Sequence, residues 1–278
     1  MNKLFGTILV ILLLISCNKN EQSNFDVCDY YQLQKPDEIW ELPFDLNEVS
    51  GIALLENQKI LAENDEAGKL FIYDLNMKSI EKTIFFGRND DYEDITCNGN
   101  TAYALRSDGT IFEIKNYTVE PIVVIHHTFL SKDDDTEGVF FDVKSDRLLI
   151  ASKANSAVLK GKKENFIYEF TLNNNRLNPE PIITISQKEI KSKYKNTNNF
   201  SPSGIAIHPI TKNIFIISSV GKMMAEYSLQ GKLLNVFDLN YPNFQQPEGI
   251  SFDQNGDLYI SNEAKKNKAN ILKFKYAL

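Results

Sequence analysis

The sequence predicts an all-β protein that forms a single β-propeller of five blades, with a six-bladed ring as the less favoured count. The prediction rests on a short motif that recurs five times: an oxygen-bearing residue, then Gly or Asp, then a branched aliphatic residue that opens an apolar strand. The copies are Ser50-Gly51-Ile52, Glu93-Asp94-Ile95, Glu137-Gly138-Val139, Ser203-Gly204-Ile205 and Glu248-Gly249-Ile250. Their middle residues lie 43, 44, 66 and 45 positions apart. Strand-rich repeats with a period of about 44 residues are typical of propeller blades.

Each repeat contains apolar runs of strand length that are separated by turn residues. The first three repeats predict strands at 52–54, 59–62, 70–75 and 80–86, at 95–97, 101–105, 110–114 and 121–126, and at 139–143, 147–151, 166–172 and 181–185. The excess length of the third repeat lies mainly in the polar stretch 186–200. We interpret this stretch, which contains Lys188, Lys191, Lys193 and Lys195, as a solvated loop over the motif-bearing face and not as a sixth blade, with a lid for anions as the alternative.

Closure of the ring can be inferred from the two ends of the repeat region. The last repeat supplies only three strands, at 250–252, 258–261 and 271–276. The stretch 38–45 lies just before the first motif, where the outer strand of a preceding blade would lie. We therefore predict that this N-terminal strand completes the last blade, so that no sheet edge stays open at the closure.

The N-terminus carries the pattern of a lipoprotein signal. Lys3 precedes an apolar stretch, 4–15, that ends in Leu14-Ile15-Ser16-Cys17, and such a stretch is too short to span a membrane as a mature helix. We predict a signal peptide at 1–16, a lipidated Cys17 with a tether at 17–37, and the propeller at 38–278. An ordinary cleaved signal with an incidental cysteine is the alternative. The expected location is the bacterial cell envelope, lipid-anchored, with the outer membrane favoured over the inner one.

Charge and cysteine content limit the possible partners. Removal of the signal peptide takes one lysine away and changes the formal charge from -7 to -8. An acidic domain is not expected to bind nucleic acid or anionic lipid, so the predicted membrane link is the lipid, and we expect a monomer. Cys28 and Cys97 could pair in an oxidising envelope, and a buried, unpaired Cys97 is an equally open alternative.

The first residue of each motif is a candidate metal ligand. In a propeller the inner strands line a central tunnel, so the residues that open them should form one ring: Ser50, Glu93, Glu137, Ser203 and Glu248. Gly follows in four motifs because converging backbones leave no room for a side chain, and Asp94 is the exception. Clustered glutamates repel one another unless a cation compensates, and oxygen ligands suit calcium. A water-filled polar tunnel without metal is the alternative.

At this point the residues resemble those of the SdiA-regulated family of bacterial envelope proteins, over nearly all of the chain after the tether. The resemblance is carried by Glu48-Val49-Ser50-Gly51-Ile52, Asn64-Asp65, Leu70-Phe71-Ile72-Tyr73, Asp91-Tyr92-Glu93-Asp94-Ile95, Asp135-Thr136-Glu137-Gly138-Val139, Ser201-Pro202-Ser203-Gly204-Ile205 and Gln246-Pro247-Glu248-Gly249-Ile250. It implies a β-propeller, an envelope location and calcium on the axis, but no activity. More distantly, the architecture looks like that of calcium-activated apyrases and β-propeller phytases, which is a weak basis for function.

Two classes of function stay open. The first is a binding or scaffolding module for a glycan, peptide or metabolite, with calcium as a structural ion. The second is a calcium-dependent hydrolase of phosphate esters or related small molecules, with unknown catalytic residues. Its candidate ligand-binding residues lie in the loops between the second and third strands: Glu63, Asp65, Arg106, Lys153, Ser219, Asn262 and Glu263. Arg106 and Lys153 would hold phosphate, while Glu63, Asp65 or Glu263 would activate water or bind a second metal. Such loops are normally only polar and solvated.

Overall fold

The computed structural model describes residues 30–153, 164–194 and 199–277. Within these residues the chain forms five antiparallel sheets, one for each motif. The five-bladed propeller is therefore confirmed. The predicted signal peptide, the predicted lipidation site Cys17 and the possible disulfide partner Cys28 lie outside the described residues.

Each of the five motifs lies at the start of the inner strand of one blade. The first strand of the chain is β1 (Glu38–Glu41), and blade 1 follows with β2 (Val49–Leu55), β3 (Lys59–Asn64), β4 (Ala67–Asp74) and β5 (Ser79–Phe85). Blade 2 contains β6 (Tyr92–Asn98), β7 (Thr101–Arg106), β8 (Ile111–Lys115) and β9 (Ile122–His126). Blade 3 contains β10 (Thr136–Asp142), β11 (Arg147–Ser152), β12 (Glu164–Thr171), β13 (Arg176–Leu177) and β14 (Ile183–Ser186). Both β13 and β14 pair with β12, so they share the outer-strand position.

The last two blades complete the ring. Blade 4 contains β15 (Gly204–Ile207), β16 (Ile214–Ser218), β17 (Met223–Tyr227) and β18 (Leu233–Asp238). Blade 5 contains β19 (Pro247–Phe252), β20 (Leu258–Asn262) and β21 (Asn270–Phe274), and its fourth strand is β1. The N-terminal strand therefore closes the propeller as predicted.

The closing strand is shorter than the stretch that predicted it. Strand β1 pairs antiparallel with β21, with Trp40 opposite Ile271. After Glu41 the chain leaves the sheet and forms a 3-10 turn at Phe44–Leu46, for which Pro43 is the N-cap. Pro43 has no N–H to donate to a strand ladder, which explains why the pairing does not continue to residue 45.

The core lies between neighbouring blades and not inside any one sheet. Alternate residues of a strand point to opposite faces. On β3, Ile60 and Ala62 pack with Trp40 of the closing strand, whereas Leu61 packs with Tyr92 of blade 2. Every blade is thus apolar on both faces, which explains the nearly continuous apolar runs in the sequence.

One end of the ring carries all five motifs, and we call it the motif face. The loops between second and third strands open on the same face, because the residue after the second strand bonds to the residues just before the motif. The backbone N–H of Asp65 donates to the carbonyl oxygen of Glu48 at 3.2 Å, and that of Glu263 donates to the carbonyl oxygen of Gln246 at 3.1 Å. The end where the inner strands finish is the opposite face.

The prediction of a loop over 186–200 is wrong for its first half. A helix, α1 (Gln187–Lys193), begins after Ser186, whose hydroxyl accepts the backbone N–H of Glu189 at 3.5 Å. The pair Ser186 and Glu189 has the spacing of a capping box, a signal that was present in the sequence. Ile190 and Tyr194 are buried one turn apart against blades 3 and 4, and this burial holds the helix in place. No helix among the described residues is long and apolar enough to cross a membrane.

Candidate functional site

The inner strands approach one another closely at the motif face. A Cβ atom on Gly51 would lie 2.3 Å from both Asp94 Oδ1 and the backbone nitrogen of Ile95. A Cβ atom on Gly204 would lie 2.4 Å from the carbonyl oxygen of Glu248. These are distances that only a residue without a side chain allows, so the predicted reason for the motif glycines is confirmed at both positions.

The two motif serines join neighbouring blades. Ser50 Oγ donates to the carbonyl oxygen of Glu93 at 2.5 Å, which links blade 1 to blade 2. Ser203 Oγ donates to the carbonyl oxygen of Pro247 at 2.9 Å, which links blade 4 to blade 5. Since each hydroxyl hydrogen is used in this way, only the lone pairs of these oxygens remain for the predicted metal.

Asp94 joins blade 2 to blade 3. Its Oδ1 accepts the backbone N–H of Ile95 at 2.8 Å, and its Oδ2 accepts that of Val139 at 2.7 Å. Two residues further along the strand, Thr96 Oγ1 accepts the N–H of Phe141 at 3.1 Å. Burial raises the pKa of Asp94 well above its usual value, and the two N–H donors oppose that rise. The motif departs from glycine at this position because the side chain forms an inter-blade link.

Replacing Asp94 with Asn is expected to lower the free energy of unfolding by about 2 to 3 kcal/mol, because one buried N–H then faces an amide donor. Chemical denaturation measures this loss. Asp91→Asn is the matched control: Asp91 is exposed and accepts from Ser107 Oγ at 2.5 Å, which an amide oxygen can also do. A loss for Asp94→Asn no larger than that of the control would contradict the inter-blade role.

The three motif glutamates form an acidic chamber at the mouth of the tunnel. Glu137 and Glu248 are 6% and 8% exposed, so both carboxyls are almost withdrawn from water. Burial, followed by the charge of Glu137, raises the pKa of Glu93. Burial, followed by the charges of Glu263 and Glu137, raises the pKa of Glu248 to about 8. The charge of Glu137 therefore repels the carboxyl groups of both Glu93 and Glu248.

Glu63 adds a carboxylate from blade 1. It is fully buried, and its Oε1 accepts the N–H of Gly51 at 2.9 Å. Its Oε2 is buried without a hydrogen-bond partner among the described residues. Burial raises its pKa to about 8, and its charge in turn raises the pKa values of Glu93 and Asp94. The sequence placed Glu63 among the loop residues, whereas it lies at the end of β3 beside the ring.

Neither of the cations that were candidates for binding phosphate is free. Arg106 donates from Nη1 to Asp90 at 2.7 Å and from Nη2 to Asp108 at 2.7 Å, and its Nε donates to Asp108 as well. Lys153 Nζ lies 2.5 Å from Glu137 Oε1. A phosphate group would therefore have to compete with carboxylates that are already in place.

A second acidic group lies on the motif face between blades 1 and 5. One carboxylate oxygen from each of Glu48, Asp65 and Glu263 lies within 4.8 Å of the others. Burial and neighbouring acids raise the pKa of Asp65 to about 6 and that of Glu263 to about 7. Glu48 was absent from the predicted ligand set although it stands two residues before Ser50. Its position in the sequence could have predicted this, because the residues just before each motif lie on the motif face.

Two further candidates from the loops, Ser219 and Asn262, interact with groups of the protein itself. Ser219 and Gln246 each lower the pKa of Glu248 against the larger effect of burial, and the Gln246 amide also donates to Glu263 Oε2. Asn262 is fully buried, and its Nδ2 donates to Asn270 Oδ1 at 3.1 Å. The structure therefore joins Ser219 to the acidic chamber, while Asn262 links two strands of blade 5.

The opposite face carries a groove that the sequence did not indicate. Its volume is about 900 Å³, and its lining includes Leu54, Cys97, Phe140 and Phe252 from the inner strands of four blades. Burial raises the pKa of the Cys97 thiol to about 11, so this thiol is a poor nucleophile at neutral pH.

Solved structures with the same fold confirm the propeller. A luciferin-regenerating enzyme superposes with a TM-score of 0.52 at 13% identity, covering 87% of this chain and 95% of its own. The PQQ-bound aldose sugar dehydrogenase of Streptomyces coelicolor gives a TM-score of 0.52 at 13% identity, covering 87% and 100%. A nidogen/laminin complex gives 0.51 at 12% identity, covering 77% and 72%. At such identities the likeness shows the fold alone.

A search of curated protein sequences finds no match. The sequence pattern of the SdiA-regulated family, by contrast, matches residues 43–266, which include all five motifs and both acidic groups. The chain belongs to the SdiA-regulated family.

Proposed function

We propose that this protein is a lipid-anchored module of the bacterial cell envelope that binds calcium in the acidic chamber and uses the motif face to bind a glycan, peptide or metabolite. The observation that carries the calcium proposal is Glu63 Oε2. It is a fully buried carboxylate oxygen that lacks a partner among the described residues and lies in the field of Glu93. A buried acceptor without a donor is costly, and a cation would satisfy it.

The donors of the chamber fit calcium. Glu63, Glu93, Glu137 and Glu248 offer carboxylate oxygens, and Ser50 and Ser203 keep oxygen lone pairs. Calcium takes six to eight oxygen ligands in flexible geometry and accepts water among them, whereas structural zinc prefers nitrogen and sulfur. Bound calcium would supply positive charge where the inner strands of several blades meet and would relieve the repulsion among their acids.

The chain enters the propeller on the opposite face, and this favours an orientation in which the acidic chamber faces away from the membrane. Tyr31 Oη donates to the carbonyl oxygen of Gly256 at 2.6 Å, and Gly256 lies in the β19–β20 turn on the opposite face. Tyr30 lies thirteen positions after Cys17, a length of chain that spans at most about 45 Å. A lipid on Cys17 would therefore hold the opposite face towards the membrane.

The alternative is a calcium-dependent hydrolase of phosphate esters. The group Glu48, Asp65 and Glu263 favours it, because a second cation beside the first could bind both phosphate and water. The pairing of Arg106 with two aspartates counts against it. We therefore prefer ligand binding.

Glu93→Gln tests the calcium proposal. Without calcium, the variant is expected to melt at the same temperature or higher, because it loses the repulsion between Glu93 and Glu137. In millimolar calcium, its gain in melting temperature should fall to less than about half that of the unchanged protein, because a ligand stabilises only by its affinity for the folded state. Thermal melts in chelator and in calcium measure both effects.

Glu226→Gln is the matched control, because Glu226 is 1% exposed and is bonded by Asn213 and Asn235, away from the chamber. Its response to calcium should equal that of the unchanged protein. Equal calcium responses in the Glu93 variant and the control would reject Glu93 as a ligand.

A further inference from the structure

Lys153 is held at the chamber by three separate contacts. Its backbone N–H donates to the carbonyl oxygen of Asp135 at 2.7 Å, and its own carbonyl oxygen accepts the side-chain amide of Asn165. Its ammonium group lies 2.5 Å from Glu137 Oε1, and the side chain is 33% exposed. The backbone contacts fix where the side chain begins, so the ion pair with Glu137 is built into the loop after β11.

The charge of Lys153 acts on several blades at once. It lowers the pKa values of Glu93, Glu137 and Glu263, which come from blades 2, 3 and 5. Burial alone would lower the pKa of Lys153, but Glu137, Asp135 and Glu248 more than offset this and raise it. One ammonium group therefore serves as the shared positive charge of the chamber.

Lys265 acts on only one of these acids: its Nζ lies 3.9 Å from Glu263 Oε2 and lowers the pKa of that group. Two other basic residues of the motif face have different partners. Arg106 is bound by Asp90 and Asp108. Lys222 lies in the corresponding loop of blade 4, where its Nζ donates to the carbonyl oxygen of Phe244 at 2.5 Å. Burial lowers the pKa of Lys222, in contrast to that of Lys153.

We propose that Lys153 is the resident counter-ion of the acidic chamber, and that a divalent cation can bind there only by displacing its ammonium group from Glu137. The inference rests on the calcium site proposed above, and it identifies Lys153 as a residue that determines the calcium affinity of that site. Two positive groups on one carboxylate repel each other, more strongly in a partly buried site than in water. Lysine suits this role because its ammonium is a point charge on a flexible stem that can swing away.

As a consequence, the protein stays folded when the site is empty. The site also binds the metal more weakly than the same carboxylates would bind it without Lys153. Without metal, Lys153 offsets part of the repulsion among Glu93, Glu137 and Glu248. With metal, that offset becomes a competing interaction. Removing the ammonium group should therefore weaken the metal-free protein and strengthen metal binding, whereas a merely structural ion pair would produce only the first effect.

Calorimetric titration of the full chain with calcium chloride, after chelator treatment, tests the proposal. Lys153→Gln is expected to lower the dissociation constant by at least about tenfold, since it removes a competing charge from the site. Lys153→Arg keeps the charge and should stay within about threefold of the unchanged protein, as should the matched control Lys222→Gln. In chelator, Lys153→Gln should melt below the unchanged protein, while Lys153→Arg should largely restore its melting temperature.

An unchanged or higher dissociation constant for Lys153→Gln would overturn the displacement. If only the variant binds calcium, the counter-ion assignment stands and the calcium function proposed for the natural chain fails. If neither protein binds calcium, the displacement is overturned together with that function. A metal-free melting temperature for Lys153→Gln equal to that of the unchanged protein would overturn the counter-ion assignment itself.

Discussion

Deletion of residues 38–45 is expected to abolish cooperative unfolding of the propeller. It removes Trp40 and Leu42, which are 5% and 3% exposed, and it leaves β21 as an open sheet edge. Burying side chains of this size stabilises by about 2 to 3 kcal/mol each, and four pairs of strand residues are lost in addition. Because the free energy of unfolding of a domain is only about 5 to 15 kcal/mol, this loss is comparable with the whole stability of the protein.

A milder variant keeps this prediction testable if the deletion does not accumulate. Trp40→Ala leaves the strand but removes a ring that stacks on Tyr259 at 6.3 Å between centroids, and it should cost about 3 to 5 kcal/mol. Deletion of residues 18–26 is the comparison, and the closing-strand account predicts almost no change in melting temperature for it. Similar melting temperatures for the two deletions would refute closure by β1.

Without calcium, the protein is expected to lose stability as the pH rises from about 5 to about 8. The pKa values of Glu63 and Glu248 are raised by burial to about 8, and that of Glu263 to about 7, from 4.5. These acids bind protons more tightly in the folded state than in the unfolded state. Their contribution to the free energy of unfolding is therefore complete at a pH below their pKa in the unfolded state, and it is lost as the pH rises through their pKa in the folded state. A summed loss of several kcal/mol corresponds to a fall in melting temperature of about 10 °C.

Calcium should change this pH dependence, because it binds the ionised carboxylates and holds them in the folded state. In millimolar calcium, the melting temperature should stay level or rise between pH 5 and pH 8. The double variant Glu63→Gln and Glu248→Gln should flatten the profile in chelator, since neither side chain can then titrate. A melting temperature in chelator that rises over this pH range would show that the chamber acids are already ionised and stabilised by the protein.

The fold could be predicted from the sequence because each blade repeats the same local pattern. Five copies of the motif gave the blade count, and the missing fourth strand of the last repeat gave the closure at β1. The helix α1 was missed because its lysines favoured a solvated loop, although Ser186 and Glu189 have capping-box spacing. Tertiary burial of Ile190 decides that conformation, and the repeat pattern carries no information about it.

The candidate site could be predicted only in part, because motif position fixes where a residue lies but not what it bonds. Glu93, Glu137 and Glu248 come from equivalent positions, and the structure places them in one electrostatic environment. Ser50 and Ser203 occupy the same position in other blades, yet their hydroxyls donate to backbone carbonyls of the next blade. Such contacts between distant parts of the chain depend on the relative position of two blades, which one sequence does not specify.

The most direct test of the proposed function is calorimetric titration of the metal-free, full chain with calcium at neutral pH. The proposal predicts saturable binding in the submillimolar range and a marked loss of affinity when Glu93 and Glu248 are both changed to Gln, while Glu226→Gln binds as the unchanged chain does. Absence of calcium binding at millimolar concentration, or equal binding by the double variant, would contradict a calcium site at the mouth of the tunnel.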